Sequence, residues 1–417
     1  MKTYAIVGLG SRGRLFARRI MADPDAKLVA IAETMPGGRD YAVTEYGLKP
    51  EQCYHSGEEF FALGKICDAI FLCTQDADHY EMAIKALELG YDICLEKPAA
   101  VTIEQCEGIR DTAMRLGRKV MITHVLRYTP FYQYIKNTID SGAIGDIVTI
   151  NQTENIAYWH FALSFVRGPW RNMKDSTPTI VAKCCHDLDI IKWLMGKKCT
   201  AVSSFGSLYH FNPKNAPKGS AEWCADCDPA TREKCLYNSY AIYPERVKRA
   251  VVGGTARFAG KDINEVIDKK EDIIAKCVYH AGNDAIDNQV VNMQFEDGST
   301  AHLTMSAYSQ ECTRYIKVHG TKGEIYGDME ENILHVQIFG EEKQTIDVTK
   351  LDSANGVNVK DGHGGGDTKL YYDFVEYISS DKENFTRTTI ADSIESHVMG
   401  FKAEESRLNG GKLMKID

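Results

Sequence analysis

Tyr4-Ala5-Ile6-Val7-Gly8-Leu9-Gly10-Ser11-Arg12-Gly13 decides the fold of this chain. Four strand-forming residues run straight into Gly-x-Gly-x-x-Gly, and a helix is predicted from about Arg12 to Met21. Glycines at these three positions permit a tight turn and let a pyrophosphate approach the backbone at the helix N-terminus. Alone, such a turn also fits other α/β sheets. Here Glu33 stands at the end of a second strand, Leu28-Val29-Ala30-Ile31-Ala32. A carboxylate at that place bonds a ribose 2′-hydroxyl and repels a 2′-phosphate. NAD is therefore expected ahead of NADP, with Arg12, Arg14 and Arg39 as the cations that would favour the phosphorylated form.

Working outward, strands are predicted over 69–73, 91–95 and 119–123, with helices over 79–89 and 103–116. Short apolar strands separated by amphipathic helices mean a parallel sheet covered on both faces. The cofactor contacts expected from this half are Gly8, Gly10, Ser11, Arg12, Gly13 and Glu33, then Thr74, Gln75 and His79 after the 69–73 strand. Tyr91-Asp92-Ile93-Cys94-Leu95 leads into Glu96-Lys97-Pro98. A lysine at the carboxyl end of such a strand points into the crevice where a dinucleotide lies, and Glu96 is placed to orient it. At a random position a lysine is a surface cation. Here Glu96 and Lys97 are expected at the cofactor, with Lys97 fixed beside the site of hydride transfer.

After residue 125 the pattern changes. A helix over 129–141 ends at Gly142, and strands are predicted over 147–150, 290–295, 300–306, 315–319 and 334–339. Asp297-Gly298 is a hairpin turn. Residues 207–280 are polar, irregular and cysteine-bearing, and read as an insertion. Helices over 366–379 and 390–408 end the pattern. In Lys183-Cys184-Cys185-His186-Asp187-Leu188-Asp189, His186 lies near a helix start. A histidine there can take the proton of an alcohol as its hydride leaves, or can be a core histidine bonded to a carbonyl. In the insertion, Cys224-Ala225-Asp226-Cys227 and Cys235 have zinc-ligand character. Cys277 or His210 would complete the set, with free thiols or a redox pair as alternatives.

Composition sets the frame. The 417 residues are 44% apolar and 26% charged, enough for two or three domains of an ordinary globular protein. A net charge of −9 and the lack of a basic run argue against nucleic acid. No signal peptide is read at the N-terminus, and no apolar run reaches the ~18 residues of a membrane span. A cytoplasmic protein with reduced thiols is expected, so the thirteen cysteines suggest packing, metal or reactivity rather than disulfides.

The glycine turn, Glu96-Lys97-Pro98, His186-x-x-Asp189 and Gly320-Thr321-Lys322-Gly323-Glu324-Ile325, in this order, resemble the glucose–fructose oxidoreductase/inositol dehydrogenase (Gfo/Idh/MocA) family. The resemblance implies a Rossmann domain over 1–124. It implies a C-terminal α/β domain over 125–417 with an open, largely antiparallel mixed sheet, and assembly as a dimer or tetramer. It further implies NAD(P)-dependent oxidation or reduction of sugars, inositols or related polyols, with Lys97 binding the reacting hydroxyl and His186 as acid/base. Ala182 departs from the pattern, since the family often has an aspartate four residues before the histidine. Lys183 is then a further catalytic candidate. If it shares a pocket with Lys97, each lowers the other's pKa and either serves as base.

A narrower branch is resembled through Tyr158-Trp159-His160, Ser164-Phe165-Val166-Arg167-Gly168-Pro169-Trp170-Arg171, Cys277-Val278-Tyr279-His280 and His363-Gly364-Gly365-Gly366-Asp367. That branch implies intact glycosides and amino or anhydro sugars as substrates. Arg127, Tyr128, Tyr158, Trp159, His160, Arg167, Asp187 and His363 are expected at the carbohydrate, and Trp170 and Arg171 at the cofactor. The tryptophans fit an interdomain core equally well. The expected reaction is hydride transfer between a secondary hydroxyl of a sugar or glycoside, with C3 the favoured carbon, and nicotinamide. The alternatives are an NAD-recycling glycosidase acting by transient C3 oxidation and elimination, an inositol dehydrogenase, and a catalytically idle sugar or nucleotide sensor.

Overall fold

The computed structural model describes residues 1–249, 258, 261–351 and 362–416. Six parallel strands form the first sheet: β1 (Lys2–Val7), β2 (Ala26–Ala32), β3 (Cys53–Tyr54), β4 (Ala69–Leu72), β5 (Asp92–Leu95) and β6 (Val120–Ile122), in the order β3-β2-β1-β4-β5-β6. This is the doubly wound order whose switch point lies between β1 and β4, where ligands bind beyond the strand ends. Every residue of β4 is buried, as a strand covered on both faces requires.

The second sheet has nine strands: β7 (Ile147–Ala157), β8 (Cys199–Ser207), β9 (Asn288–Phe295), β10 (Thr300–Ser309), β11 (Thr313–Gly320), β12 (Gly323–Asp328), β13 (Ile333–Ile338), β14 (Gln344–Asp347) and β15 (Met414–Lys415). Their order is β14-β13-β12-β11-β7-β10-β9-β8-β15, so the sheet is open. Only β7 and β10 pair in parallel among these neighbours. The fold is therefore a Rossmann domain joined to an α/β domain with an open, largely antiparallel mixed sheet, as expected.

β7 runs well past the predicted 147–150. Its buried positions after Ile150 are Gln152, Glu154, Ile156 and the terminal Ala157, so alternation continues to 156 with polar residues facing inward. β3 and β15 have two residues each, too few for a periodic signal.

The chain's last helices return to the first sheet. Helix Gly366–Tyr377 packs Phe374 against Phe71 of β4 (centroids 5.2 Å apart), and Tyr371 donates to Asp23 at 3.0 Å. Helix Ile390–Leu408 packs against both Ile103–Leu116 and β8, so it ties the two sheets together. Ala99 N–H donates to His397 Nε2 at 2.9 Å across the same seam.

The expected insertion contains helices Pro229–Lys234, Ser239–Arg249 and Ile263–Asp268 among irregular turns. Its residues 250–257 and 259–260 lie outside the described residues. No helix among the described residues is long and apolar enough to cross a membrane.

Candidate active site

The glycine turn is built to receive a phosphate. Gly8 adopts φ +91°, and a Cβ there would sit 2.5 Å from the Cys73 carbonyl oxygen. A Cβ on Gly13 would lie 2.1 Å from the Gly8 oxygen, so helix and turn touch backbone to backbone. Gly10 differs: nothing lies within 4 Å of its Cβ position. Gly10 is also the N-cap of helix Ser11–Ala22, and no side chain caps that end. Free backbone N–H groups beside an open space suit a pyrophosphate. The Glu33 carboxylate closes the turn, accepting from Leu9 N–H at 2.7 Å and Met35 N–H at 2.8 Å. These residues fit a dinucleotide.

Beyond the turn opens a cavity of about 530 Å³. Ser11, Arg12, Thr74, Gln75, Glu96 and Lys97 line it from the Rossmann side, and His160, Trp170, Lys183, His186 and His363 from the second domain. Lys97 precedes a cis peptide bond to Pro98. Its ammonium donates to the Ala182 carbonyl at 2.7 Å and lies 5.9 Å from the Trp170 ring centre. The backbone at 182 thus holds the lysine where the family often has an aspartate.

Glu96 acts on the lysine through the main chain, accepting from Lys97 N–H at 3.2 Å, while Thr123 Oγ1 accepts from the same group. Its other oxygen binds Arg12 Nε at 2.5 Å, and Arg12 Nη1 reaches Asp367 at 2.7 Å. Asp367 holds His363 Nδ1 at 2.9 Å. Burial pushes the Asp367 carboxyl up, but Arg12 and His363 outweigh it and hold it well below the usual range. Arg12 therefore joins three segments of the site, and His363 is presented on a left-handed backbone (φ 49°) that a non-glycine residue adopts only when surrounding contacts hold it.

His186 is buried at the cavity wall, 6.1 Å from His363 between ring centres. Burial, then Lys97, His124, Arg314 and His363, hold its pKa well below the ordinary histidine value, so it is neutral. The expectation that Lys183 and Lys97 depress one another does not hold at Lys183. Burial lowers it, but Glu154 at 3.2 Å more than compensates, and Lys183 titrates above the ordinary lysine value. Lys183 is thus a fixed cation and is withdrawn as a candidate base. Asp187 lies beneath the cavity, accepting from Gln152 at 2.8 Å and from Arg314 at 3.1 Å.

Other predicted contacts lie elsewhere. Arg127 makes a two-pronged bond to buried Asp189 at 2.7 and 2.6 Å, because its neighbour in the core is a carboxylate. Tyr128 donates to Asp373 at 2.7 Å, facing a different surface cavity. Arg167 is fully buried and clamps the insertion, donating to the carbonyls of Lys276 at 2.6 Å and Tyr237 at 2.9 Å. Tyr158 packs on Tyr237, and Trp159 on His160, behind the wall. His79 is buried against the Pro98 and Thr74 carbonyls and shapes their loops. Arg171 lies outside the cavity wall, its backbone N–H donating to the Gly168 carbonyl.

Cys224, Cys227, Cys235 and Cys277 do surround one small void of about 20 Å³. Among the described residues, however, no three His, Cys, Asp or Glu side chains are set to hold a metal ion. Cys224 Sγ instead accepts from Arg167 at 3.4 Å and Ser239 at 3.2 Å, and His210 pairs with the Tyr279 hydroxyl at 3.2 Å. The expected zinc site is not shown among the described residues, and the four cysteines stand there as free thiols.

Sequence reasoning missed Asp76, which holds the Trp170 indole N–H at 3.1 Å, Arg314 and Glu330 on the second-domain wall, and Glu154, which pairs with Lys183 and Arg314. Glu154 was detectable, since β7's alternation places it inward.

Comparisons with known proteins agree with this geometry. A family model described as "Oxidoreductase family, NAD-binding Rossmann fold" matches residues 2–124, and one described as "Oxidoreductase family, C-terminal alpha/beta domain" (GFO_IDH_MocA_C) matches 136–413. The chain is 25% identical over 404 residues to putative oxidoreductase YteT of Bacillus subtilis (strain 168), covering 89% of this chain and 88% of that protein. It is 28% identical over 212 residues to scyllo-inositol 2-dehydrogenase (NAD(+)) of the same organism, covering 50% of this chain and 58% of that protein. An inositol dehydrogenase homologue of Azotobacter vinelandii, solved with NADH and myo-inositol, superposes with a TM-score of 0.68 at 17% identity, covering 100% of this chain and 97% of the other. At that identity it shows the shared fold.

Proposed function

The chain belongs to the Gfo/Idh/MocA oxidoreductase family, and from that premise we propose that it is an NAD-dependent dehydrogenase oxidising a secondary hydroxyl of a sugar, glycoside or cyclic polyol. The carrying observation is the convergence of the Lys97 ammonium and neutral His186 on one cavity beside the open glycine turn. NAD, when bound, supplies the hydride acceptor. Lys97 donates to the hydroxyl oxygen and stabilises negative charge as it develops. His186, neutral and beside it, takes up the hydroxyl proton. Trp170, held by Asp76, offers an apolar face to ring C–H groups, and His160 and His363 offer polar atoms to hydroxyls.

Relatives support the substrate class. They include inositol dehydrogenases and a 2,7-anhydro-N-acetylneuraminate hydratase of Escherichia coli (26% identical over 215 residues). The test is a panel of glycosides, free sugars, inositols and amino sugars with NAD and NADP, following NADH and product mass together. Stoichiometric NADH and a keto product are expected. Release of free sugar without net NADH would indicate oxidation and elimination with recycled cofactor. No reaction with any member would overturn the reading.

NAD is favoured over NADP because Glu33 stands just past β2, where it would meet a ribose 2′-hydroxyl, while the nearby arginines are engaged. Arg39 donates to the Glu33 and Thr34 carbonyls, and Arg14 lies over the Tyr41 ring at 4.1 Å. Glu33→Ala is expected to weaken NAD roughly 10–100-fold, the worth of a charged hydrogen bond, and to improve NADP. Fluorescence titration with both nucleotides measures this; an unchanged ratio of affinities would remove Glu33 from the ribose.

A further inference from the structure

We propose that Glu330 is the proton store of this site, the group on which the substrate's hydroxyl proton comes to rest. The proposal rests on the dehydrogenase reading above and adds a residue to it. Three carboxylates line the cavity among the described residues: Asp76, Glu96 and Glu330. Asp76 accepts from Trp170, Ser176 and Thr177, and Glu96 from Arg12 and the Lys97 N–H. Glu330 differs. One oxygen, Oε2, accepts from the Arg314 N–H at 2.9 Å, and its own N–H donates to Asp328 at 2.9 Å, so the residue is anchored at both ends. No described group bonds Oε1.

The surroundings explain why such a store is needed. Lys97, His124, Arg314 and His363 all disfavour positive charge on His186, in addition to its burial. An imidazolium there is costly and passes its proton on. Lys183 is paired with Glu154 and already protonated. A carboxylate that becomes a neutral acid removes the charge instead of adding to the cluster. The groups facing Glu330 are Arg314 from β11, Glu154 from β7, Asp328 from the end of β12 and Tyr132 from helix Pro130–Asp140. Lys183, His186 and His363 stand across the same cavity. Burial pushes the Glu330 carboxyl up to about 7, Arg314 opposes this, and Glu154 and Asp328 add to it. A proton acceptor works best when it titrates near the working pH.

The step balances as follows. Oxidation converts the C–O single bond to C=O and releases one hydride, taken by NAD⁺, and one proton. The proton leaves the hydroxyl at Lys97 and His186 and ends on Glu330 Oε1, turning carboxylate into carboxylic acid. In the reverse direction the acid returns it. Glu330 acts through His186, so it is a positioning residue.

The experiment compares the wild type, Glu330→Gln and Glu330→Asp. The probe is whichever of myo-inositol, D-glucose, methyl α-D-glucopyranoside and N-acetylglucosamine the wild type oxidises fastest. The wild-type oxidation rate should rise with pH through an inflection near 7, because only the carboxylate accepts a proton. Glu330→Gln should lose that inflection and fall roughly 10²-fold in kcat with NAD affinity unchanged, while Glu330→Asp keeps the inflection. Independently of turnover, ¹³C NMR of labelled glutamate should show one carboxyl titrating near neutrality that is missing from Glu330→Gln. An inflection retained in Glu330→Gln, or no such carboxyl in the wild type, would overturn the proposal alone. A wild type that reduces no NAD with any probe would overturn the dehydrogenase reading and this proposal with it.

Discussion

Lys97→Ala is expected to lower turnover by roughly 10²–10⁴-fold while leaving NAD affinity nearly unchanged. The lysine sits at the end of β5 with its main-chain N–H held by Glu96 and Thr123 and its ammonium fixed on the Ala182 carbonyl. It is therefore already oriented before any hydroxyl arrives, and in the proposed reaction its donor strength would be used where alkoxide charge develops. The proposed pyrophosphate and ribose contacts, Gly10 and Glu33, follow the ends of β1 and β2 rather than β5, so cofactor binding should survive. Lys97→Arg should not restore the rate, since a planar guanidinium cannot hold both the Ala182 carbonyl and the hydroxyl in the ammonium's place. Steady-state kinetics with parallel NAD titration checks both statements. Turnover in Lys97→Ala close to wild type would remove the lysine from the chemistry.

Arg314→Leu should have the largest effect on stability, a cost of about 3–5 kcal/mol. Arg314 is buried and binds Glu154 at 2.6 Å and Asp187 at 3.1 Å, both of them buried on the inward face of the second domain. Removing it leaves Glu154 with Lys183 alone and Asp187 with only Gln152. Asp187 is already pushed upward by burial, and loss of the guanidinium pushes it further. A carboxyl whose folded pKa is raised costs stability as pH rises from its unfolded value towards its folded one. The deficit of Arg314→Leu should therefore be smaller near pH 4, below the raised Asp187 value, and full above neutrality. Thermal unfolding of both proteins across that range measures it. A deficit independent of pH would mean that lost packing, not stranded charge, is responsible.

What could be read in the sequence was local. The glycine turn, Glu33, Lys97 and His186 each lie within a short run whose strand or helix context is visible in the run itself, and the structure brings the lysine and histidine to one cavity. What could not be read depends on which side chain lies opposite. Arg127 and Arg167 follow the composition of a sugar site, yet a guanidinium beside aromatic residues serves equally well as a core clamp, and Asp189 and two carbonyls claimed them. The cysteines were correctly grouped by spacing, but Arg167 and Ser239 reach Cys224 from distant segments, which no spacing shows. Arg314 and Glu330 lie on and just after the strands of a nine-stranded sheet. Their neighbours Glu154, Lys183 and Asp187 arrive from elements far away in the chain. The inward polar positions of β7, Gln152 and Glu154, were the one sequence signal of that cluster, because a strand that buries polar residues needs partners for them.

The most direct measurement is isotope transfer. The wild-type protein is given the panel carbohydrate that reduces NAD fastest, with deuterium on its ring carbons in place of hydrogen, and the NADH is isolated for mass and NMR analysis. Direct transfer in the cavity beside Lys97 and His186 predicts that the NADH formed carries deuterium at C4 of the nicotinamide on a single face. NADH without deuterium at C4, or label appearing in water instead, would contradict it.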